Sequence, residues 1–75
     1  MVIKVLGTGC PKCQKLYSNV AEALEISGKS AEVIKITDLA QIMAYKVMSM
    51  PALVIDEKVV SSGQVLKSDT IATLL

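Results

Sequence analysis

The sequence predicts an α/β domain whose elements run β-α-β-α-β-β-α, with a four-stranded mixed sheet flanked by three helices. Short runs of branched aliphatic residues alternate with segments in which apolar residues recur every three or four positions. The first strand, helix and strand are spaced for a right-handed crossover between parallel strands, and two later strand-like runs are separated by a short turn, as in a hairpin. Because the chain has only 75 residues, 52% of them apolar and 3% aromatic, we expect one domain spanning residues 1–75.

The first half of the chain has clear start and stop signals. Val2 to Leu6 is a strand, ended by a turn at Gly7-Thr8-Gly9, where glycine permits a tight backbone path. The segment Pro11 to Ser27 is helical, since proline is tolerated in the first turn and Gly28 suits the left-handed residue that follows a helix. One face of this helix is apolar and should lie on the sheet; it consists of Leu16, Val20, Ala23 and Leu24.

A second strand and a short second helix are predicted next. Ala31 to Ile36 has a strand pattern, and Asp38 is placed to cap the N-terminus of the helix that follows. The buried stripe of this helix is expected to comprise Leu39, Ile42, Met43 and Val47. We also expect Met43 and Met48 to fill the core, because methionine adapts to irregular gaps.

The last third of the chain is predicted to form a hairpin and a final helix. A strand starts at Pro51, a turn surrounds Asp56-Glu57-Lys58, and a second strand follows at Val59 to Ser62 until Gly63 breaks it. Ser68 is the predicted N-cap of a helix from Asp69 to Leu75. Its buried side should carry Ile71, Leu74 and Leu75.

Composition and charge exclude several classes of function. The net charge is +1, arginine is absent and there are two tyrosines, so neither a phosphate-binding face nor a stacking platform for bases is indicated. No apolar run reaches the roughly 18 residues needed to span a bilayer, and the N-terminus lacks the pattern of a signal peptide. We therefore expect no nucleic acid partner, no membrane association and a cytoplasmic location.

The two cysteines, Cys10 and Cys13, are the residues that carry chemistry. They are the only cysteines and the chain has no histidine, so a disulfide framework of the secreted kind is excluded. Cys10 precedes a helix N-terminus, whose positive end and unpaired N–H groups lower a thiol pKa, and Lys12 can add to this effect. Cys10 is therefore the predicted nucleophile, and Cys13, one turn further and more covered, is placed to resolve a mixed disulfide.

Other uses of the same two thiols remain open at this stage. The pair could bind Cu(I), Hg(II) or Zn(II) as a soft-metal carrier, bridge two copies of the chain through zinc, serve as an inert structural pair, or belong to an adaptor that never cycles. Element order weighs against the metal carrier, because such carriers continue with a hairpin directly after the first helix. Here a second helix intervenes. One chain has no histidine and no second cysteine pair to complete a four-ligand zinc site, so our main prediction includes no metal site.

Two segments together carry a resemblance to a known family. They are Gly7 to Cys13, with the motif C-P-K-C, and Met48 to Asp56, which contains the Met50-Pro51 step; Gly63 follows the second hairpin strand. The combination resembles a minimal thioredoxin fold, and more narrowly the small glutaredoxin-like redox-active disulfide proteins of archaea and bacteria. The likeness extends over nearly the whole chain and implies a thioredoxin-like fold.

The resemblance also implies roles for individual residues. Cys10 would be the exposed nucleophile, Cys13 the resolving cysteine, and Pro51 a cis-proline beside the disulfide. The backbone of Met50 would pair with an extended substrate segment, with Pro11 and Lys12 completing the substrate-binding surface.

The activity implied is exchange of a dithiol with disulfides of protein substrates, as a thioredoxin- or glutaredoxin-like protein-disulfide reductase. No bound cofactor is required. A thioredoxin-reductase-like flavoprotein or a small thiol would regenerate the dithiol, and the protein is expected to be a monomer.

Overall fold

A computed structural model describes residues 1–9, 11–47 and 49–75, and it confirms the predicted element order. The strands are β1 (Val2–Leu6), β2 (Glu32–Ile36), β3 (Ala52–Ile55) and β4 (Lys58–Ser62), and the helices are α1 (Pro11–Ser27), α2 (Leu39–Ala44) and α3 (Ser68–Leu74). The strands form a mixed sheet in the order β2-β1-β3-β4. β1 pairs with β2 in parallel and with β3 antiparallel, and β3 pairs antiparallel with β4.

Alternation along β1 and β3 divides the core between the two faces of the sheet. One face carries Ile3, Val5, Leu53 and Ile55, on which α1 and α3 pack. The other carries Leu6, Ala52 and Val54, on which Ile42 of α2 packs. Every residue of β3 is buried, because β3 is an interior strand that is covered on both faces.

Helix α1 follows the predicted amphipathic pattern. It begins at Pro11, and its buried residues are Cys13, Leu16, Val20 and Ala23. Gly28 has φ +68°, the left-handed conformation expected after a helix. The polar side of α1 also contacts the segment before α3, since Asn19 Nδ2 donates to the carbonyl of Leu66 at 2.8 Å.

Helix α2 corrects the prediction for its buried face. Asp38 caps it as expected, accepting from the backbone N–H of Ala40 at 2.9 Å. Leu39 and Met43, however, are 55% and 64% exposed, so their predicted burial and the core-filling role of Met43 are wrong. The helix has only six residues, and of these only Ile42 is buried. Met48 lies outside the described residues.

The remaining ends differ from prediction by one or two residues. Ser68 is the first residue of α3 and not its cap; Lys67 occupies the N-cap without a side-chain hydrogen bond. The hydroxyl of Ser68 instead donates to Glu22 of α1 at 3.1 Å. Of the predicted buried face of α3, Ile71 is fully buried but Leu74 is 45% exposed.

The β3–β4 hairpin turns through Asp56 and Glu57, with φ of 49° and 67°. Two consecutive positive φ values are typical of the tight turn that matches the twist of a hairpin. The Asp56 carboxylate accepts from the N–H of Val2 at 3.0 Å, so the turn is also tied to the start of β1.

Candidate functional site

Cys13 lies in the first turn of α1 and is 5% exposed. Helix α1 starts at Pro11, because proline has a φ suited to a helix and lacks the N–H that would otherwise be unpaired in the first turn. Pro11 and Lys12 are exposed beside it. Cys10 lies outside the described residues, so its predicted role as nucleophile stays a prediction. The covered position predicted for Cys13 is confirmed.

Gly7, at the end of β1, contacts Cys13 so closely that no side chain fits between them. A β-carbon built on Gly7 would lie 2.9 Å from Cβ of Cys13 and closer still to its Sγ. Real β-carbons do not approach another carbon so closely, which explains glycine at this position. The sequence predicts only a turn at Gly7, because no local signal indicates that this residue contacts Cys13, which follows six residues later on a helix.

Pro51 also lies close to Gly7. The Met50–Pro51 peptide bond is cis, as the family resemblance implied, and the Pro51 side chain is fully buried. A β-carbon on Gly7 would lie 3.9 Å from Cβ of Pro51. The structure therefore brings Cys13, Gly7 and Pro51 together at one end of the sheet, while Met50 remains 40% exposed at the edge of this cluster.

The end of β4 supports the loop that carries Pro51. The N–H of Gly63 donates to the carbonyl of Pro51 at 2.9 Å. Gly63 has φ +70°, and a β-carbon there would meet Cβ of Ser49 at 2.8 Å. Gly63 is thus required both by its backbone conformation and by its neighbour.

A cleft of about 180 Å³ opens beside Cys13 on the side of β2. The Nζ of Lys35 lies 4.3 Å from the centre of the Tyr17 ring at this cleft, a cation–π contact. Tyr17 is half-buried against the core. Gln14 Nε2 donates to the carbonyl of Gly9 at 3.2 Å, which ties the turn before the cysteines to α1.

A separate polar cluster lies on the opposite face of β1. Lys4 forms an ion pair with Glu57 and donates to the hydroxyl of Tyr45 at 2.6 Å. The hydrogen bond to Glu57, followed by that to Tyr45, raises the pKa of Lys4 above its ordinary value. The hydrogen bond from Lys4 lowers the pKa of Glu57. Since Lys4 alternates with Val5, which lines the cleft, this cluster faces away from Cys13.

The described residues offer little for a metal ion. Within 1–9, 11–47 and 49–75, no group of three or more cysteine, aspartate or glutamate side chains is arranged to hold one. Within the same ranges, no helix is both long enough and apolar enough to cross a membrane.

Comparison with known proteins identifies the family. The model of the thioredoxin domain family matches residues 1–75. The chain belongs to the thioredoxin family. It is similar to a thioredoxin of Methanocaldococcus jannaschii, with 40% identity over 65 residues that make up 87% of this chain and 74% of that protein. It is also similar to a thioredoxin of Methanothermobacter thermautotrophicus, with 35% identity over 75 residues, or 100% of this chain and 97% of that one.

Family membership settles the general activity. The chain is a thioredoxin-fold oxidoreductase that exchanges thiols and disulfides. The strand order, the first turn of α1 and the cis-Pro51 loop are consistent with that activity, because they bring Cys13 and Pro51 to the same end of the sheet.

Proposed function

We propose that this thioredoxin-family chain reduces disulfides of protein substrates with the dithiol of Cys10 and Cys13. One observation carries the proposal. The Sγ of Cys13 is covered by the end of β1 and lies in the first turn of a 17-residue helix. A cysteine that is only 5% exposed is shielded from a bulky substrate, yet it can attack a mixed disulfide formed on Cys10, three residues earlier in the chain. This is what a resolving thiol requires.

The reaction proceeds in two exchanges that conserve atoms and electrons. The Cys10 thiolate attacks one sulfur of the substrate disulfide, forms a mixed disulfide and releases the other sulfur as a thiolate. The Cys13 thiolate then attacks the Cys10 sulfur, forms the Cys10–Cys13 disulfide and releases the second substrate thiolate. The substrate gains two electrons and the protein loses two.

The start of α1 supports the nucleophilic role of Cys10. The residue directly precedes a long helix, and the unpaired N–H groups and positive end of such a helix favour a thiolate over a thiol. Lys12 is exposed within the first helical turn and adds positive charge at the same end. Both effects favour the thiolate form that the proposed attack by Cys10 requires.

The loop before β3 supports the docking of an extended substrate segment. The carbonyl of Pro51 accepts from Gly63 inside the fold, so the backbone of Met50 is the part of this loop offered to a substrate strand. The exposed Met50 side chain gives an apolar and adaptable lip. Pro11 and Lys12, exposed at the start of α1, form the opposite edge of the docking surface.

The cycle needs no bound cofactor, and an external reductant returns the Cys10–Cys13 pair to the dithiol. A thioredoxin-reductase-like flavoprotein or a small thiol would each suffice. The direction of exchange in the cell depends on the reduction potential of the pair relative to its surroundings.

The test is to replace Cys13 with serine and offer the reduced protein a peptide disulfide. We expect Cys13→Ser to accumulate a mixed disulfide through Cys10, visible as the summed mass of protein and peptide. The matched control Cys10→Ser should trap none. The wild-type protein should reduce insulin with a chemical reductant.

A different pattern would contradict the proposal. If the wild type shows no turnover with any reductant, and both serine variants instead lose tight Cu(I) binding, the pair serves a metal carrier. If neither variant changes any property, the surface belongs to an adaptor without redox cycling.

A further inference from the structure

We propose that Gly7 is a positioning residue for the resolving step: because it has no side chain, the Sγ of Cys13 can rest against the end of β1 in the place from which it attacks. This inference rests on the proposed dithiol mechanism and assigns part of it to a residue that carries no chemistry of its own. Gly7 is buried and does not have the positive φ seen at Gly9, Gly28 and Gly63, so backbone conformation does not explain its presence. Its contact with Cys13 does.

The backbone of Gly7 cannot retreat from a clash. Its N–H donates to the carbonyl of Ile36 at 2.9 Å, which extends the β1–β2 pairing by one residue. The preceding residue, Leu6, pairs with Ala52 on the other side. The end of β1 is thus paired with both neighbouring strands.

A β-carbon at position 7 must therefore displace Cys13. The sulfur of a cysteine is attached directly to Cβ, so it moves only by rotation about χ1 or by a shift of the helix. Rotation about χ1 would carry the sulfur off the end of β1 and out of the position proposed for its attack. A shift of α1 is resisted by Leu16 and Val20, which are fully buried one and two turns further along.

Displacement of Cys13 should slow the second exchange, in which Cys13 attacks the mixed disulfide, and should not affect the first exchange, in which Cys10 attacks the substrate. Attack by Cys10 on the substrate does not involve the Cys13 sulfur, whereas the second exchange requires in-line approach of that sulfur to the mixed disulfide. Misplacement of reacting atoms by about 1 Å can cost up to about a hundredfold in rate. We expect Gly7→Ala to slow the resolving step by about tenfold or more, and mixed disulfide to accumulate.

The experiment is a single turnover with reduced protein and an excess of a peptide disulfide, quenched with acid and analysed by mass. Gly7→Ala should form mixed disulfide at the wild-type rate and lose it slowly. Gly28→Ala is the matched control, because Gly28 is far from the site along α1 and its β-carbon meets no atom within 4 Å. That control should resolve as quickly as the wild type.

Two results would overturn the inference while leaving the proposed function intact. Gly7→Ala could resolve at the wild-type rate although Cys13→Ser still traps the intermediate. Alternatively, Gly28→Ala could accumulate as much mixed disulfide as Gly7→Ala, which would point to general destabilisation.

A stability measurement covers the case in which Gly7→Ala folds poorly. In a Cys13→Gly background both atoms that a β-carbon at position 7 would strike, Cβ and Sγ of Cys13, are gone, so Gly7→Ala should lower the melting temperature by clearly less than it does in the wild-type background. Equal losses in the two backgrounds would show that Gly7 does not act through the Cys13 side chain, and the inference would fail.

Discussion

The substitution Gly63→Ala tests how β4 supports the Pro51 loop, and its cost can be worked from two separate features. Gly63 has φ +70°, and placing an L-residue with a β-carbon in the left-handed region costs roughly 1–2 kcal/mol. The new carbon would also lie 2.8 Å from Cβ of Ser49, and overpacking of this kind costs about 1–3 kcal/mol. Together these effects predict a loss of about 2–5 kcal/mol in the free energy of unfolding.

Gly28 provides the matched control for the first feature alone. Its φ is +68° and a β-carbon there would meet nothing within 4 Å, so Gly28→Ala should cost only the roughly 1–2 kcal/mol of backbone strain. Urea denaturation of the two variants at one pH measures the difference. Because a domain of this size has a stability of only about 4–11 kcal/mol, both losses should be readily measured.

A double-variant cycle isolates the contact with Ser49. Replacing Ser49 with glycine removes the β-carbon that Gly63→Ala would strike, so the two substitutions should be coupled by about 1–3 kcal/mol. Gly63→Ala should also raise KM for a peptide disulfide more than Gly28→Ala does, since Ser49 adjoins the Met50–Pro51 step. Equal costs for Gly63→Ala and Gly28→Ala, with no coupling to Ser49, would refute the reasoning.

Two further predictions concern charge and core. Glu57→Gln should flatten the pH dependence of stability. In the wild type, the pKa of Glu57 in the folded protein is lower than its ordinary value of 4.5. The ionised carboxylate therefore stabilises the fold above pH 4.5, and this stability is lost as the pH falls through the pKa of the folded protein. The raised pKa of Lys4 gives stability that is present below 10.5 and lost as the pH rises through the folded value. Urea unfolding across this range measures both effects, and unchanged curves in the variant would contradict the assignment. Ile71→Ala should cost about 2–5 kcal/mol, because Ile71 is fully buried. Leu74→Ala, at a side chain that is 45% exposed, should cost clearly less in the same assay, and equal losses would show that burial does not set the cost.

Local signals explain why so much of the fold could be predicted. Pro11 and Gly28 mark the ends of α1, Asp38 caps α2, and residues 56 and 57 turn the hairpin. Each of these effects acts within a few residues of chain. A single helix that connects two neighbouring strands of one sheet implies that the strands are parallel, and β1 and β2 are parallel.

The errors arose where burial depends on neighbours that are distant in the chain. Leu39 and Met43 have the spacing of a buried stripe, but α2 is too short to lay more than Ile42 on the sheet. Ser68 has the chemistry of an N-cap, yet its hydroxyl bonds to Glu22 on another helix.

Periodicity and local stereochemistry were enough to establish the order of strands and helices and to place Cys13 in the first turn of a helix, because those effects act between residues that are close in sequence. The close approach of Gly7 to Cys13, the support of Pro51 by Gly63, and the pairing of Lys4 with Glu57 follow only once β1, α1 and the hairpin pack together. The distances between these residues are set by the packing of the whole core, which no local pattern in the sequence reports.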